Sequence, residues 1–108
     1  MQQNYYPKDQ IEKVYPEPGV YKLFASNKNY LVLVYVGQSL NLRKRLMEHR
    51  ITLYMEFDYF DFDFYPMGKL DEIERKELDE FKKKNAHWPK YNNQAGNRLW
   101  SKPKQKFF

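Results

Sequence analysis

The residues of this chain whose types and spacing could do chemistry are two tyrosines and an arginine with a histidine. Tyr21 closes Gly19-Val20-Tyr21, and Tyr35 opens Tyr35-Val36-Gly37. Both tripeptides lie in stretches rich in strand-forming residues, so adjacent strands of one hairpin would bring two phenols to one patch. Tyrosine is also simply a good strand residue, and either phenol alone would be read as packing. Arg45 and His49 are separated by one helical turn, and at about 100° per residue they share a face with Leu42 and Leu46. Plain amphipathicity would not set a guanidinium and an imidazole among leucines. An arginine stem can pack on a core with its head in water, and a histidine can be a hydrogen-bonded surface residue. Toward a phosphate the pair has a purpose, because a fixed guanidinium grips two phosphate oxygens and stays charged at any working pH.

The elements that must position these groups can be read along the chain. Its 108 residues fit one domain, and 42% hydrophobic with 19% aromatic residues supply a core despite 31% charged. Residues 1–17 form a lead-in without sustained periodicity. Pro18 marks the boundary before a strand from Gly19 to Ala25. Ser26 to Asn29 have turn chemistry, and the apolar run Tyr30 to Val36 predicts a second strand, buried on both faces and ended by Gly37. Ser39 or Asn41 can cap a helix reaching about Leu53. Phe60, Phe62 and Phe64 alternate with Asp61 and Asp63, the period of a third strand with one face wet. The two aspartates are spaced like paired metal ligands, but acids on a wet strand face also discourage edge pairing, and that use is expected. After the turn at Pro66 to Gly68, Leu70, Ile73, Leu78 and Phe81 recur at helical spacing and predict a second helix to about Lys84. Lys82 to Lys84 then complement its dipole. Residues 93–108 are a basic tail carrying Arg98, Lys102, Lys104 and Lys106. Trp88 and Trp100, beside basic residues, can stack on bases, although packing is their commoner use.

Composition bounds the partners. The sequence has no cysteine, which removes disulfides and thiolate-held zinc and suits a reducing cytoplasm. No apolar run approaches the ~20 residues of a membrane span, and Met1 to Lys8 lack the pattern of a signal peptide, so no membrane is expected. A formal charge of +5 and a sequence pI near 9.3 favour a polyanion. Arg43, Lys44, Arg45 and Arg50 cluster, while Glu56, Asp58, Asp61 and Asp63 form an acidic block, so one basic face is expected.

The paired tripeptides, followed by Gln38-Ser39-Leu40-Asn41-Leu42-Arg43-Lys44-Arg45-Leu46-Met47-Glu48-His49, resemble the GIY-YIG nuclease family, with valine at both central positions. The resemblance runs from about Pro18 to Asn92. It implies an α+β domain, a three-stranded antiparallel sheet flanked by helices, that hydrolyses DNA phosphodiester bonds with Mg²⁺ or Mn²⁺ and no small-molecule cofactor. Arg45 and His49 fall at the family's catalytic arginine and its frequent histidine, with Arg43 and Lys44 as looser substrate-binding neighbours. The family's single metal-binding glutamate corresponds to Glu74, seated between Ile73 and Leu78, or alternatively to Glu77, whose distance to Asn92 also suits some members. Asn92, in Pro89-Lys90-Tyr91-Asn92, resembles the closing asparagine that helps position that glutamate or the substrate phosphate; otherwise it is a turn residue. The implied mechanism has Tyr21 take or relay the proton of the attacking water, its pKa lowered from near 10 by Arg45 and His49. Many repair-type relatives carry lysine directly after the second tripeptide, where this chain has Gln38. A second class of reading is a binding module for nucleic acid that keeps the scaffold without catalysis. A preference for single strands is a third.

Overall fold

The computed structural model describes residues 3–52 and 55–92. Six elements follow in order: β1 (Tyr6–Pro7), β2 (Gly19–Asn27), β3 (Tyr30–Ser39), α1 (Leu42–Ile51), β4 (Tyr59–Phe64) and α2 (Leu70–Asn85). A 3₁₀ segment, Lys8–Lys13, follows β1. The strands form one antiparallel sheet in the order β1-β4-β2-β3. It therefore has four strands, not three. The additional pairing, Tyr6 with Phe60 and Pro7 with Tyr59, is too short to leave a period in the sequence.

The β2–β3 hairpin turns at Lys28, which adopts a left-handed φ of 57°. Its ladder continues to Gly19 opposite Ser39, so β3 does not stop at Gly37 but passes through it. Nor is β3 enclosed on both faces along its length. It is an edge strand, and Tyr30 at its outer end is 60% exposed. The register shifts once, between Leu23 opposite Tyr35 and Phe24 opposite Leu33, leaving Val34 as an extra residue. A bulge of this kind re-aims the side chains on either side of it. Beyond it Val34 and Tyr35 lie in one core while Leu33 and Val36 lie in the other.

Those cores occupy the two faces of the sheet. On one, Ile11, Val14, Tyr21, Leu23, Phe57 and Phe60 pack with Leu42 and Leu46 of α1. On the other, Val20 and Val36 pack with Leu70, Ile73 and Leu78 of α2. Asn41 is the residue that caps α1, its Oδ1 accepting from Lys44 N at 3.0 Å. The helix runs to Ile51, and Leu53 lies outside the described residues. In α2, Asp71 and Glu72 occupy the first turn and Lys82 to Lys84 the last, the polarity the helix dipole favours. The tail from residue 93, with Trp100, also lies outside the described residues.

A charged pair is built into the α2 face. Lys22, in the middle of an apolar strand, pairs with Glu77 at 2.8 Å, and both side chains are about nine-tenths enclosed. Asp61, opposite Lys22 in the ladder, is fully buried rather than on a wet face, and accepts from the backbone N–H groups of Asn4 and Phe62. Burial raises its pKa, with nearby Asp63 adding to the effect. No helix among the described residues is long and apolar enough to cross a membrane.

Removing one member of an enclosed pair leaves the other charge without compensation. Glu77→Ala is therefore expected to cost about 3 kcal/mol of folding free energy, read from urea unfolding curves. A loss no larger than that of an exposed ion pair, under ~1 kcal/mol, would show that Lys22 reaches water or another acid.

Candidate active site

The two glycines of the tripeptides make the site possible by what they lack. A Cβ on Gly37 would lie 2.5 Å from Tyr21 Oη, 2.6 Å from Tyr21 Cζ and 2.7 Å from Tyr35 Cε2. Only a bare Cα lets the phenol of Tyr21 lie over β3. A Cβ on Gly19 would meet Asp63 O at 2.3 Å and Leu42 Cδ1 at 2.5 Å, so the first glycine admits α1 and β4 close to β2. In both tripeptides the middle valine, Val20 or Val36, points to the opposite core.

Tyr21 and Tyr35 are diagonal neighbours across the ladder, since Tyr21 pairs with Gly37 and Tyr35 with Leu23. Their ring centroids are 6.0 Å apart. His49 reaches down from α1 and completes an aromatic triangle, 5.4 Å from Tyr21 and 5.5 Å from Tyr35. A buried hydrogen bond of 2.7 Å joins Tyr21 Oη and His49 Nε2. Tyr21 has no exposed surface, whereas Tyr35 is partly exposed.

Protonation follows from this enclosure. Burial lifts the pKa of Tyr21 well above 10; Tyr35 and Glu74 push the same way, and Arg45 pulls back without prevailing. Tyr35 is raised as well, first by burial and then by Glu74, with Arg45 and the contact with Tyr21 opposing. The expectation that Arg45 and His49 lower the Tyr21 pKa is thus met by a stronger opposing effect, desolvation. Arg45 itself stays charged. Its pKa rises because the neighbouring phenols and Glu48 outweigh its own burial. Its side chain is 44% exposed and its Nε donates to Glu48 at 3.1 Å.

Glu74 enters from α2, around the edge strand, and its charge acts on both phenols. It is only partly exposed, burial raises its pKa, and Oε1 accepts from Gln38 Nε2 at 3.0 Å. Among the described residues no salt bridge reaches it. Glu77, one turn on, faces Lys22 instead. The two glutamates that the sequence left as alternatives therefore have different neighbours: one is neutralised, the other is not.

A sheet with α1 on one face and α2 on the other matches solved structures. The GIY-YIG N-terminal endonuclease domain of UvrC from Thermotoga maritima, bound to magnesium, superposes with a TM-score of 0.60 at 22% identity, covering 79% of this chain and 93% of that one. The fold is that of a GIY-YIG endonuclease domain. A variant of the same domain with asparagine replaced by alanine, bound to its catalytic divalent cation, gives a TM-score of 0.61 at 21% identity, covering 81% of this chain and 94% of that one. No protein-family model matches the chain, and neither does any curated protein.

Within this GIY-YIG fold, the remaining predicted residues lie around the cluster rather than in it. Asn92 is buried, and its amide grips the backbone of Val36 at both ends, accepting from N at 2.7 Å and donating to O at 2.9 Å. It holds the strand between Tyr35 and Gly37. Arg43 turns toward the lead-in, where Nε donates to Val14 O at 2.7 Å, and Lys44 is exposed beside it. Trp88 lies under the ammonium of Lys82, 4.6 Å from its ring centre. The sequence reading missed Asp71, which shares the Gln38 amide with Glu74. Its position one turn before Glu74 on the same helix was the available signal.

Glu74 is the residue of this arrangement that could hold a divalent cation. Its carboxylate is half-buried, and among the described residues no salt bridge offsets its charge. Among the described residues no three His, Cys, Asp or Glu side chains group as ligands.

Folding holds Tyr21, Tyr35 and Tyr65 above their unfolded pKa, so the folded protein keeps protons that the unfolded chain releases above about pH 10. Stability should be full below that pH and fall as pH rises through the folded values. Tyr21→Phe should cost about 1 kcal/mol at neutral pH, for the lost hydrogen bond to His49, and flatten the alkaline decline. Urea unfolding between pH 8 and 11 checks both, and an unchanged slope would mean that Tyr21 titrates as an exposed phenol.

Proposed function

We propose that this chain is a divalent-metal-dependent endonuclease that hydrolyses phosphodiester bonds in DNA, using Mg²⁺ or Mn²⁺. The observation that carries the reading is the buried 2.7 Å bond between Tyr21 and His49, set beside Tyr35, Arg45 and the unpaired carboxylate of Glu74. Packing alone does not require an acid, a cation and a phenol–imidazole couple to meet at one sheet edge. The fold it shares with an endonuclease domain that holds magnesium supports the same conclusion.

The exposures favour one order of steps. Tyr21 is fully enclosed, so the attacking water meets Tyr35 first. Tyr35 takes the proton of the water and gives its own to Tyr21, and Tyr21 passes one to Nε2 of His49, which becomes the imidazolium. A relay of this kind needs no phenol to ionise by itself, which matters because burial holds both pKa values up. The partly exposed guanidinium of Arg45 grips non-bridging phosphate oxygens and offsets the charge they gain in the transition state. Glu74 would hold the cation, which when bound neutralises charge on the phosphate and the departing oxygen. Arg43 and Lys44 extend a positive surface from α1 toward the flanking backbone, and Asn92 serves by holding β3 in place.

Nicking of supercoiled plasmid, followed with Mg²⁺, with Mn²⁺ and with EDTA, tests the proposal. Cleavage should vanish in EDTA. Glu74→Gln should abolish it while binding in a gel shift persists, and Glu77→Gln should keep cutting at temperatures where it stays folded. Arg45→Ala should lower the rate by about a hundredfold or more with little change in stability, as loss of a transition-state donor does. Cleavage that survives in both Glu74→Gln and Arg45→Ala would remove the activity from this site, and DNA binding without cleavage by the native chain in either metal would reduce the scaffold to a binding module.

A further inference from the structure

Gln38 directly follows the second tripeptide on β3, and its side chain crosses to α2. Its Nε2 donates to Asp71 Oδ1 at 2.6 Å and to Glu74 Oε1 at 3.0 Å. Two carboxylate acceptors fix which end of the amide faces them, since only the NH₂ end can donate. Both of its hydrogens are then engaged, and the group cannot rotate without losing one acceptor. Resting on the reading that Glu74 holds the cation, we propose that Gln38 is a positioning residue for that cation. Its neutral amide, anchored on Asp71, ties down Oε1 of Glu74 and presents Oε2 with the carboxylate's charge intact.

The contrast within α2 carries the argument. Glu77, one turn further on, is held by the ammonium of Lys22, which orients that carboxylate and cancels its charge. Glu74 is held by an amide, which orients and cancels nothing. A lysine at position 38 would also reach two carboxylates, but it would supply the positive charge that a metal ion would otherwise supply. Carboxylates that bind metals are commonly oriented by a hydrogen-bond donor of this kind, and losing the donor typically weakens metal binding about 10- to 100-fold. Asp71 is exposed at the start of the helix, where it fixes the amide from the far side.

The test is Mn²⁺ binding to the full chain without DNA, measured by calorimetry and by the electron paramagnetic resonance of free Mn²⁺. Gln38→Met keeps the volume and removes both donors; Gln38→Lys keeps donors and adds charge. Each is expected to weaken Mn²⁺ binding about tenfold or more at unchanged melting temperature, while Asp71→Asn, which keeps an acceptor for the amide, retains most of the affinity. If Gln38→Met binds within about twofold of the native chain while Glu74→Gln loses binding, the orienting role is overturned and the metal reading stands. Native-like binding by Gln38→Lys would overturn the role of neutrality. A loss in Asp71→Asn equal to that in Glu74→Gln would make Asp71 a ligand and overturn its role as anchor. If Glu74→Gln itself binds Mn²⁺ like the native chain, the reading beneath the proposal has failed, and the proposal with it.

Discussion

The contact on which the site depends is the closeness of the Tyr21 phenol to the bare Cα of Gly37, where a single methyl group would stand 2.5 Å from the hydroxyl oxygen. That approach lets a large side chain from β2 lie across β3 instead of rising away from the sheet. Lying flat, the phenol is sealed from water and directed at His49, which α1 lowers onto it. Enclosure then sets the protonation state, because a phenolate there would lose more hydration than the nearby charge of Arg45 restores. Geometry, burial and acidity are three results of one missing side chain.

The second constraint is that the side chains of the candidate site arrive from both faces of a sheet only a few ångströms thick. Arg45 and His49 come from α1 on one side, and Glu74 comes from α2 on the other. They can meet only at an edge, which is why the working strand is β3 and not the central β2 or β4. The bulge at Val34 contributes, since it returns Tyr35 to the face that already holds Tyr21. The two helices are fixed by different means. Leucines bind α1 to its core, whereas α2 combines a smaller apolar patch with the enclosed Lys22–Glu77 pair.

Much of this was legible in the sequence, for identifiable reasons. Strand composition paired Tyr21 with Tyr35 and helical spacing paired Arg45 with His49, both local properties, while the resemblance to the GIY-YIG family joined the two pairs into one site. The spans of β4 and α2 followed from their periods of two and of 3.6. Partners distant in the chain were not legible. Nothing local to Asp61 announces that Asn4 and a buried lysine lie beside it, so its alternation with phenylalanine pointed to a wet position where the carboxylate is in fact buried, while Asp63 is partly exposed. Glu74 and Glu77 could not be told apart on a helical wheel, because the distinction lies in Lys22 and Gln38 on two other strands. The lysine carried a sign of it, being the one charge inside the apolar run of β2.

An edge strand ordinarily offers a row of unsatisfied N–H and C=O groups to any extended chain that passes. At Val36 that offer is withdrawn, because both backbone groups are already taken by the side-chain amide of Asn92, which imitates one residue of a neighbouring strand. An incoming strand would find its register interrupted beside the two phenols and could not extend the sheet across them. The same bonds that hold Tyr35 and Gly37 in place thus deny an incoming strand its register at the point where the two phenols lie.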